Sequence, residues 1–331
     1  MEIKFDTISS TGVITLNRPD ALNALNLEMA EQFSEKLNEW SNNNNIKRVL
    51  LKGEGKHFCA GGDVKKIHLS GNNSDLKKKF FLTEYRLNFQ IYNFPKPYLS
   101  IWRGVVMGGG VGLSIYGNFR IVTDTTKFAM PETAIGFFPD VGGSYFLSRL
   151  NNNLGVFLGL TGHILNASEI MFLKLGTHYC PENEIENLID EYISKGTIKN
   201  FKISSLNENS ILNHIELIEQ SFDSNIHNIV QNIKNTSLNN KYYEIIQKKC
   251  PMSLATTTEL IKKGKNKNLK ECLEMEFNLS QQMVYRNDFS TGIDAVLVSK
   301  HHQPKWNPQS IQEINLKEVE SFFKEKKNQL F

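Results

Sequence analysis

Cysteine is scarce: the 331 residues hold only Cys59, Cys180, Cys250 and Cys272, far apart and with no CxxC pair. That spacing argues against a disulfide framework or a structural zinc site and fits a reducing compartment. No apolar run approaches the roughly 20 residues a bilayer-spanning helix needs, which excludes a membrane span. Neither sign of charge dominates. Lys+Arg number 38 against 35 Asp+Glu, a formal excess of +3 that is dispersed rather than gathered in a stripe, so nucleic acid is not expected as a partner. His163, His178, His301 and His302 show no metal-ligand spacing, and no metal is expected. The first residues run directly into strand-like sequence, without the Arg-rich leader of a transit peptide or the apolar core of a signal peptide. No internal repeat is evident, and the tracts 42–45 (Asn) and 77–79 (Lys) read as surface bias.

What is present is a strand, loop, helix rhythm. Residues 2–8 and 13–17, separated by Ser9-Ser10-Thr11-Gly12, read as a hairpin. Leu27, Ala30, Phe33, Leu37 and Trp40 then fall near one helical face, with Asn26 as the N-cap. Short apolar strands at 49–52 and 98–102 each deliver the chain to a glycine-containing loop, and a third at 119–123 leads towards Pro131. This predicts an α/β core over residues 1–180 with its functional loops at strand ends. From about 180 strand signals become sparse, and helix-period patterns at 210–221, 252–263 and 269–286 predict a mainly helical C-terminal region, 181–331, packed on that core.

Two segments carry small residues in series. Lys56-His57-Phe58-Cys59-Ala60-Gly61-Gly62-Asp63 follows one strand, and Met107-Gly108-Gly109-Gly110-Val111-Gly112-Leu113 follows another. Side-chain-free backbone lets a ligand approach and leaves N–H groups directed at it. Either segment alone reads equally as a tight turn. Together they suggest one N–H from each converging on a developing oxyanion.

The strings FCAGGD, MGGGVGLS and FAMPETAIGFFPDVGGSYFLSRL resemble the crotonase superfamily, the enoyl-CoA hydratases and isomerases, and within it the 3-hydroxyisobutyryl-CoA hydrolases. The resemblance continues through Leu160-Thr161-Gly162, Met275-Glu276-Phe277, Asn287-Asp288-Phe289 and Pro304-Lys305-Trp306, and is weakest over 181–250. It implies a crotonase-like core of repeated ββα units, with Gly62 and Gly109 as the oxyanion-hole donors. Hydratases of the superfamily use one Glu shortly after the glycine triplet and a second in a Pro-Glu pair. Here Gly112, which transfers no proton, stands at the first position, and Glu132 at the second. Asp140 follows eight residues later, framed by Pro139 and Val141-Gly142-Gly143. Gly136 and Pro139 argue against a continuous helix between the two acids and put them on a folded loop. Their apolar neighbours, Ile135, Phe137, Phe138 and Phe146, disfavour a carboxylate and suit one of the pair to carrying a proton. The plain alternatives are a cap near Thr133 and a turn residue before Gly142.

Glu84 interrupts an apolar stripe, Phe80, Leu87 and Ile91, on a helix-like stretch whose other face carries Phe81, Tyr85, Phe89 and Tyr92. The buried side stays open on this pattern, and an exposed helical acid is the plain alternative. The resemblance implies that Glu84 contacts substrate, together with Gly109, Glu132 and Asp140. His57 and Cys59 raise a rival, a Cys/His nucleophile, although no orienting carboxylate accompanies them and a small buried Cys is the commoner outcome. Lys262-Lys263-Gly264-Lys265 reads as a solvated helix end, with coenzyme A phosphates as the functional alternative.

The expectation is therefore hydrolysis of a short 3-hydroxyacyl-CoA thioester, with 3-hydroxyisobutyryl-CoA from valine breakdown first by resemblance. Coenzyme A is part of the substrate, and no cofactor is required. The alternatives are hydration or isomerisation of an enoyl thioester, and an inert acyl-CoA-binding protein. Family relatives often assemble as trimers or double trimers, so a homo-oligomer is expected. The family role implies the mitochondrion, whereas the absence of a visible presequence leaves the cytoplasm open.

Overall fold

A computed structural model describes residues 1–203, 210–324 and 328–331. The chain divides into two compact units that interleave in sequence. One comprises Met1–Asp63, Arg86–Ala129 and Ile164–Ser210; the other comprises Val64–Tyr85, Met130–His163 and Ile211–Phe331. The sequence reading drew one boundary near residue 180 instead. Interleaving arises because late helices return to early loops: Glu276, for example, accepts hydrogen bonds from Gly142 and Ser144.

The first unit holds strands β1 (Ile3–Ile8), β2 (Thr11–Leu16), β3 (Arg48–Gly53), β4 (Tyr98–Trp102), β5 (Val105–Met107), β6 (Phe119–Val122), β7 (Lys127–Ala129) and β8 (His178–Tyr179). Six of them form one sheet in the order β1-β2-β3-β4-β6-β8, and β5 pairs with β7. Among the paired strands of the described residues only β1 and β2 run antiparallel, joined by a hairpin in which Ser9 takes φ 55°. The turn is shorter than the sequence suggested, since Thr11 and Gly12 already belong to β2. Parallel pairing of β2, β3, β4, β6 and β8 brings their C-terminal ends to one edge. Strands β2 and β4 are buried throughout, as parallel strands covered on both faces must be.

Val13, Leu50, Leu99, Ile101 and Ile121 pack against Ile185, Leu188, Ile189 and Tyr192 of the helix Ile185–Lys195. The helix Leu27–Asn42 starts where its cap predicts: the Asn26 side chain accepts from Met29 N at 2.9 Å. It buries Met29, Ala30, Phe33, Leu37 and Trp40. Phe33 and Leu37 each contribute roughly 2 kcal/mol through burial. Leu27, expected on that face, is only partly covered, and Met29 takes the inward position.

The second unit is helical, with Pro251–Gly264, Leu269–Met283 and Asn287–Ile293 as its principal late helices. Proline at the first turn of Pro251–Gly264 forgoes an N–H that would be orphaned anyway. A reciprocal cap starts the next helix, Asn268 accepting from Glu271 N at 2.9 Å and Glu271 accepting from Asn268 N at 2.9 Å. Among the described residues no helix is long and apolar enough to cross a membrane.

Candidate active site

In the first unit the two glycine segments lie side by side. Cys59 N donates to Val105 O at 3.0 Å and Met107 N donates to Cys59 O at 3.0 Å, so the stretch after β3 runs beside β5. Leu25 N donates to Gly61 O and Asp63 N donates to Leu25 O, each at 2.8 Å. In such a parallel bridge the intervening residue directs its own N–H to the opposite side, and that residue is Gly62. Gly109 opens the short turn Gly109–Gly112, where the first N–H has no partner within the turn. The two segments pack too closely for side chains. A Cβ on Gly110 would sit 2.5 Å from Cys59 O, and Gly61 takes φ 125°, a conformation that residues with side chains rarely adopt. Gly112, at the hydratase acid position, is buried within the same turn.

Both members of the Cys/His rival are engaged with the backbone. Cys59 is fully buried with Sγ 3.6 Å from Gly61 O, and His57 Nδ1 accepts the Val105 N–H at 3.2 Å. That bond commits one ring nitrogen to the backbone.

In the second unit Glu84, Glu132 and Asp140 are all buried, with exposures of 2%, 6% and 6%. The sequence left the face of Glu84 open. The helix Leu76–Tyr92 in fact buries Phe80, Phe81, Glu84 and Tyr85 together, because its surroundings cover more than one side. Phe81 stacks on Phe137 with centroids 5.3 Å apart, and Phe137 stacks on Phe138 at 4.4 Å, which seats this helix on the loop bearing both acids.

Glu132 heads a 3-10 turn, Glu132–Ile135, stopped by Gly136. The turn is tied down by Thr133, whose hydroxyl donates to Leu160 O at 3.1 Å and whose carbonyl accepts from Cys250 N at 3.0 Å. Asp140 lies on the irregular stretch beyond, as the glycine and proline signals required. Its carbonyl accepts from Gly143 N at 2.8 Å, and the next residue, Val141, takes φ 52°. A buried β-branched residue in the left-handed region costs roughly 1–3 kcal/mol and persists only where its surroundings enforce it.

Two residues that sequence reasoning gave no role provide that enforcement. Glu276, on the helix Leu269–Met283, accepts from Gly142 N at 2.6 Å, from Ser144 N at 2.9 Å and from the Ser144 hydroxyl. Tyr85 donates its hydroxyl to Asp140 Oδ2 at 2.8 Å. The Met275-Glu276-Phe277 string was visible in the sequence, but nothing in its spacing pointed to a loop 134 residues earlier.

Burial dominates the electrostatics. It pushes Glu84 well above the usual carboxyl range, and the charges of Asp140 and Glu132 push the same way. Glu132 is likewise raised by burial and then by Asp140, opposed by its own backbone N–H and by Lys249. Asp140 is pushed up to about 7 by burial, against the Tyr85 hydrogen bond and its own backbone N–H. Glu276 is raised to about 8, burial outweighing its three donors. Glu84 Oε1 and Glu132 Oε2 have no partner among the described residues. A cluster of carboxyl groups sharing fewer charges than members is equipped to give and take protons near neutral pH.

These features define an enzyme of acyl-thioester chemistry on a crotonase fold. The family pattern described as enoyl-CoA hydratase/isomerase matches residues 11–323, and the chain belongs to that family. It is similar to the mitochondrial 3-hydroxyisobutyryl-CoA hydrolase of Danio rerio, 38% identical over 97% of this chain and 89% of that protein. The Homo sapiens enzyme of the same name is 36% identical over 98% of this chain and 88% of its own length. Among solved structures, a carnitinyl-CoA dehydratase from Mycobacterium thermoresistibile superposes with TM-score 0.92 at 32% identity, covering 100% of this chain and 98% of that one. An enoyl-CoA hydratase from Rhodobacter sphaeroides gives TM-score 0.92 at 30% identity, covering 98% and 97%.

Proposed function

We propose that this protein hydrolyses a short 3-hydroxyacyl-CoA thioester, 3-hydroxyisobutyryl-CoA first among them, releasing 3-hydroxyisobutyrate and coenzyme A. The observation that carries the reading is the buried carboxyl cluster of Glu84, Glu132 and Asp140, its members held above their usual proton affinities. Gly112 decides against hydration, because the fold leaves no acid at that position of the glycine turn. The names of the vertebrate relatives supply the acyl group.

In this reading the amides of Gly62 and Gly109 receive the thioester oxygen as it gains charge, each worth about 3 kcal/mol in the transition state. Glu132 either takes a proton from the attacking water or attacks the carbonyl itself to give a mixed anhydride. Asp140 serves as acid or as the contact for the acyl hydroxyl, and Glu84 contacts the substrate. No cofactor enters either route. A single turnover with excess enzyme in heavy-oxygen water tests the anhydride route: label in Glu132 rather than in the product acid excludes direct attack by water on the thioester. By the same analogy the reaction belongs to valine breakdown in the mitochondrion, carried out by a homo-oligomer.

The test of the reading is parallel recording of free thiol and of enoyl absorbance with a panel of short acyl-CoA thioesters. Thiol release from 3-hydroxyisobutyryl-CoA is expected. Hydration of an enoyl thioester without thiol release would make the protein a hydratase instead, and tight binding without turnover would make it an inert binder.

A further inference from the structure

We propose that Tyr85 is a positioning residue: its buried hydroxyl, donating to Asp140 Oδ2 at 2.8 Å, decides that Asp140 is the cluster member that carries the negative charge. The inference rests on the hydrolase reading for its catalytic meaning, but its physical content is a property of the ligand-free protein.

The three acids are offered different partners. Glu84 and Glu132 each retain a buried oxygen with no partner among the described residues. A carboxylate with an unpartnered buried oxygen is costly, whereas a protonated carboxyl tolerates the same surroundings. Among the described residues Asp140 is the one of the three that receives a side-chain hydroxyl, and a charge-assisted O–H···O bond is roughly twice as strong as a neutral one. Tyr85 is itself fully buried, which pushes its phenol well above the usual range, so it stays a donor wherever the protein is folded.

The hydroxyl is held in place by rings on both sides. Tyr85 packs edge-on against Phe81 at 5.9 Å and against Phe277 at 6.3 Å, so little rotational freedom is lost when the bond forms. The charges facing Asp140 come from three directions. Glu84 and Tyr85 lie on the helix Leu76–Tyr92, Glu132 on its own turn, with Lys249 acting on it, and Glu276 on the helix Leu269–Met283. These carboxyls each feel the Asp140 charge as a like charge, and among the described residues Tyr85 is the side chain that donates a hydrogen bond to Asp140. In the ligand-free protein Glu132 and Glu84 then hold protons while Asp140 carries the charge; in the catalytic cycle Asp140 takes the Glu132 proton, which frees Glu132 to act as base or nucleophile and leaves Asp140 an acid.

The experiment is a carbon-13 carboxyl titration of Asp140 in the full-length, ligand-free protein, its resonance assigned by its disappearance in Asp140→Asn. In the wild type the midpoint is expected at about 7. In Tyr85→Phe, which keeps the ring and removes one oxygen, it is expected about one pH unit higher or more. Phe277→Leu, which keeps an apolar side chain against the Tyr85 ring and leaves Phe81 on its other side, is the packing control, expected to lower thermal stability without moving the midpoint. An unmoved midpoint in Tyr85→Phe overturns the inference, as does an equal shift in Phe277→Leu. Thiol release is measured alongside. A moved midpoint in a protein that releases no thiol sinks the hydrolase reading and keeps the Tyr85 assignment, whereas active enzyme with an unmoved midpoint does the reverse.

Discussion

Glu276 accepts the Gly142 N–H at 2.6 Å, across 134 residues of sequence and immediately after a valine held at φ 52°. The pairing explains how the Asp140 loop keeps a conformation that costs energy locally. Three donors from residues 142–144 converge on one carboxyl of a long helix, and the backbone between them has no freedom to relax.

Burial of the two carboxyls makes stability depend on pH. Asp140 and Glu276 stand at about 7 and about 8 in the folded protein, against about 4 when unfolded. Between these values the folded chain binds more protons than the unfolded one. The stability they confer is complete below about pH 4 and is lost as pH rises through 7 and 8, at about 1.4 kcal/mol per pH unit for each group. Urea unfolding from about pH 5 to about pH 8 should show this decline, and Glu276→Gln should make it shallower. A wild-type stability that stays flat or rises over that window contradicts the assignment.

The glycine packing predicts a separate effect. Gly110→Ala places a methyl group 2.5 Å from Cys59 O and must push the two glycine segments apart. Displacing the Gly109 amide should lower kcat by about 100-fold or more, with a smaller change in KM. A variant that folds with wild-type kcat would remove Gly109 from the oxyanion role.

Cys59→Ala separates the carboxylate mechanism from a thiol nucleophile. The substitution keeps the Cβ and deletes a buried sulfur, so it should cost about 1 kcal/mol of stability. Thiol release should remain within about threefold of wild type, since His57 Nδ1 is committed to the Val105 N–H. Abolished activity in a stably folded variant would reinstate the Cys/His pair.

Much of this was legible in sequence wherever the signal is local. The Asn26 cap, the strand Tyr98–Trp102 and the late helices Pro251–Gly264 and Leu269–Met283 follow from spacing that short-range sterics enforce. The loop between Glu132 and Asp140 was legible because Gly136 and Pro139 forbid a helix there. Long-range relations were not. Nothing in periodicity says that Tyr85 meets a residue 55 positions away, or that Glu84 is covered when both faces of its helix are apolar. The short strands β5 and β8 carry too few residues for an alternating pattern to show.

Chemistry by the buried acids is tested most directly by single-turnover thiol release from 3-hydroxyisobutyryl-CoA by wild type and Glu132→Ala. A positioned acid–base group contributes about 10²- to 10⁴-fold. Loss of at least 100-fold in a variant whose thermal unfolding matches wild type is the predicted result. A rate within tenfold of wild type would contradict it.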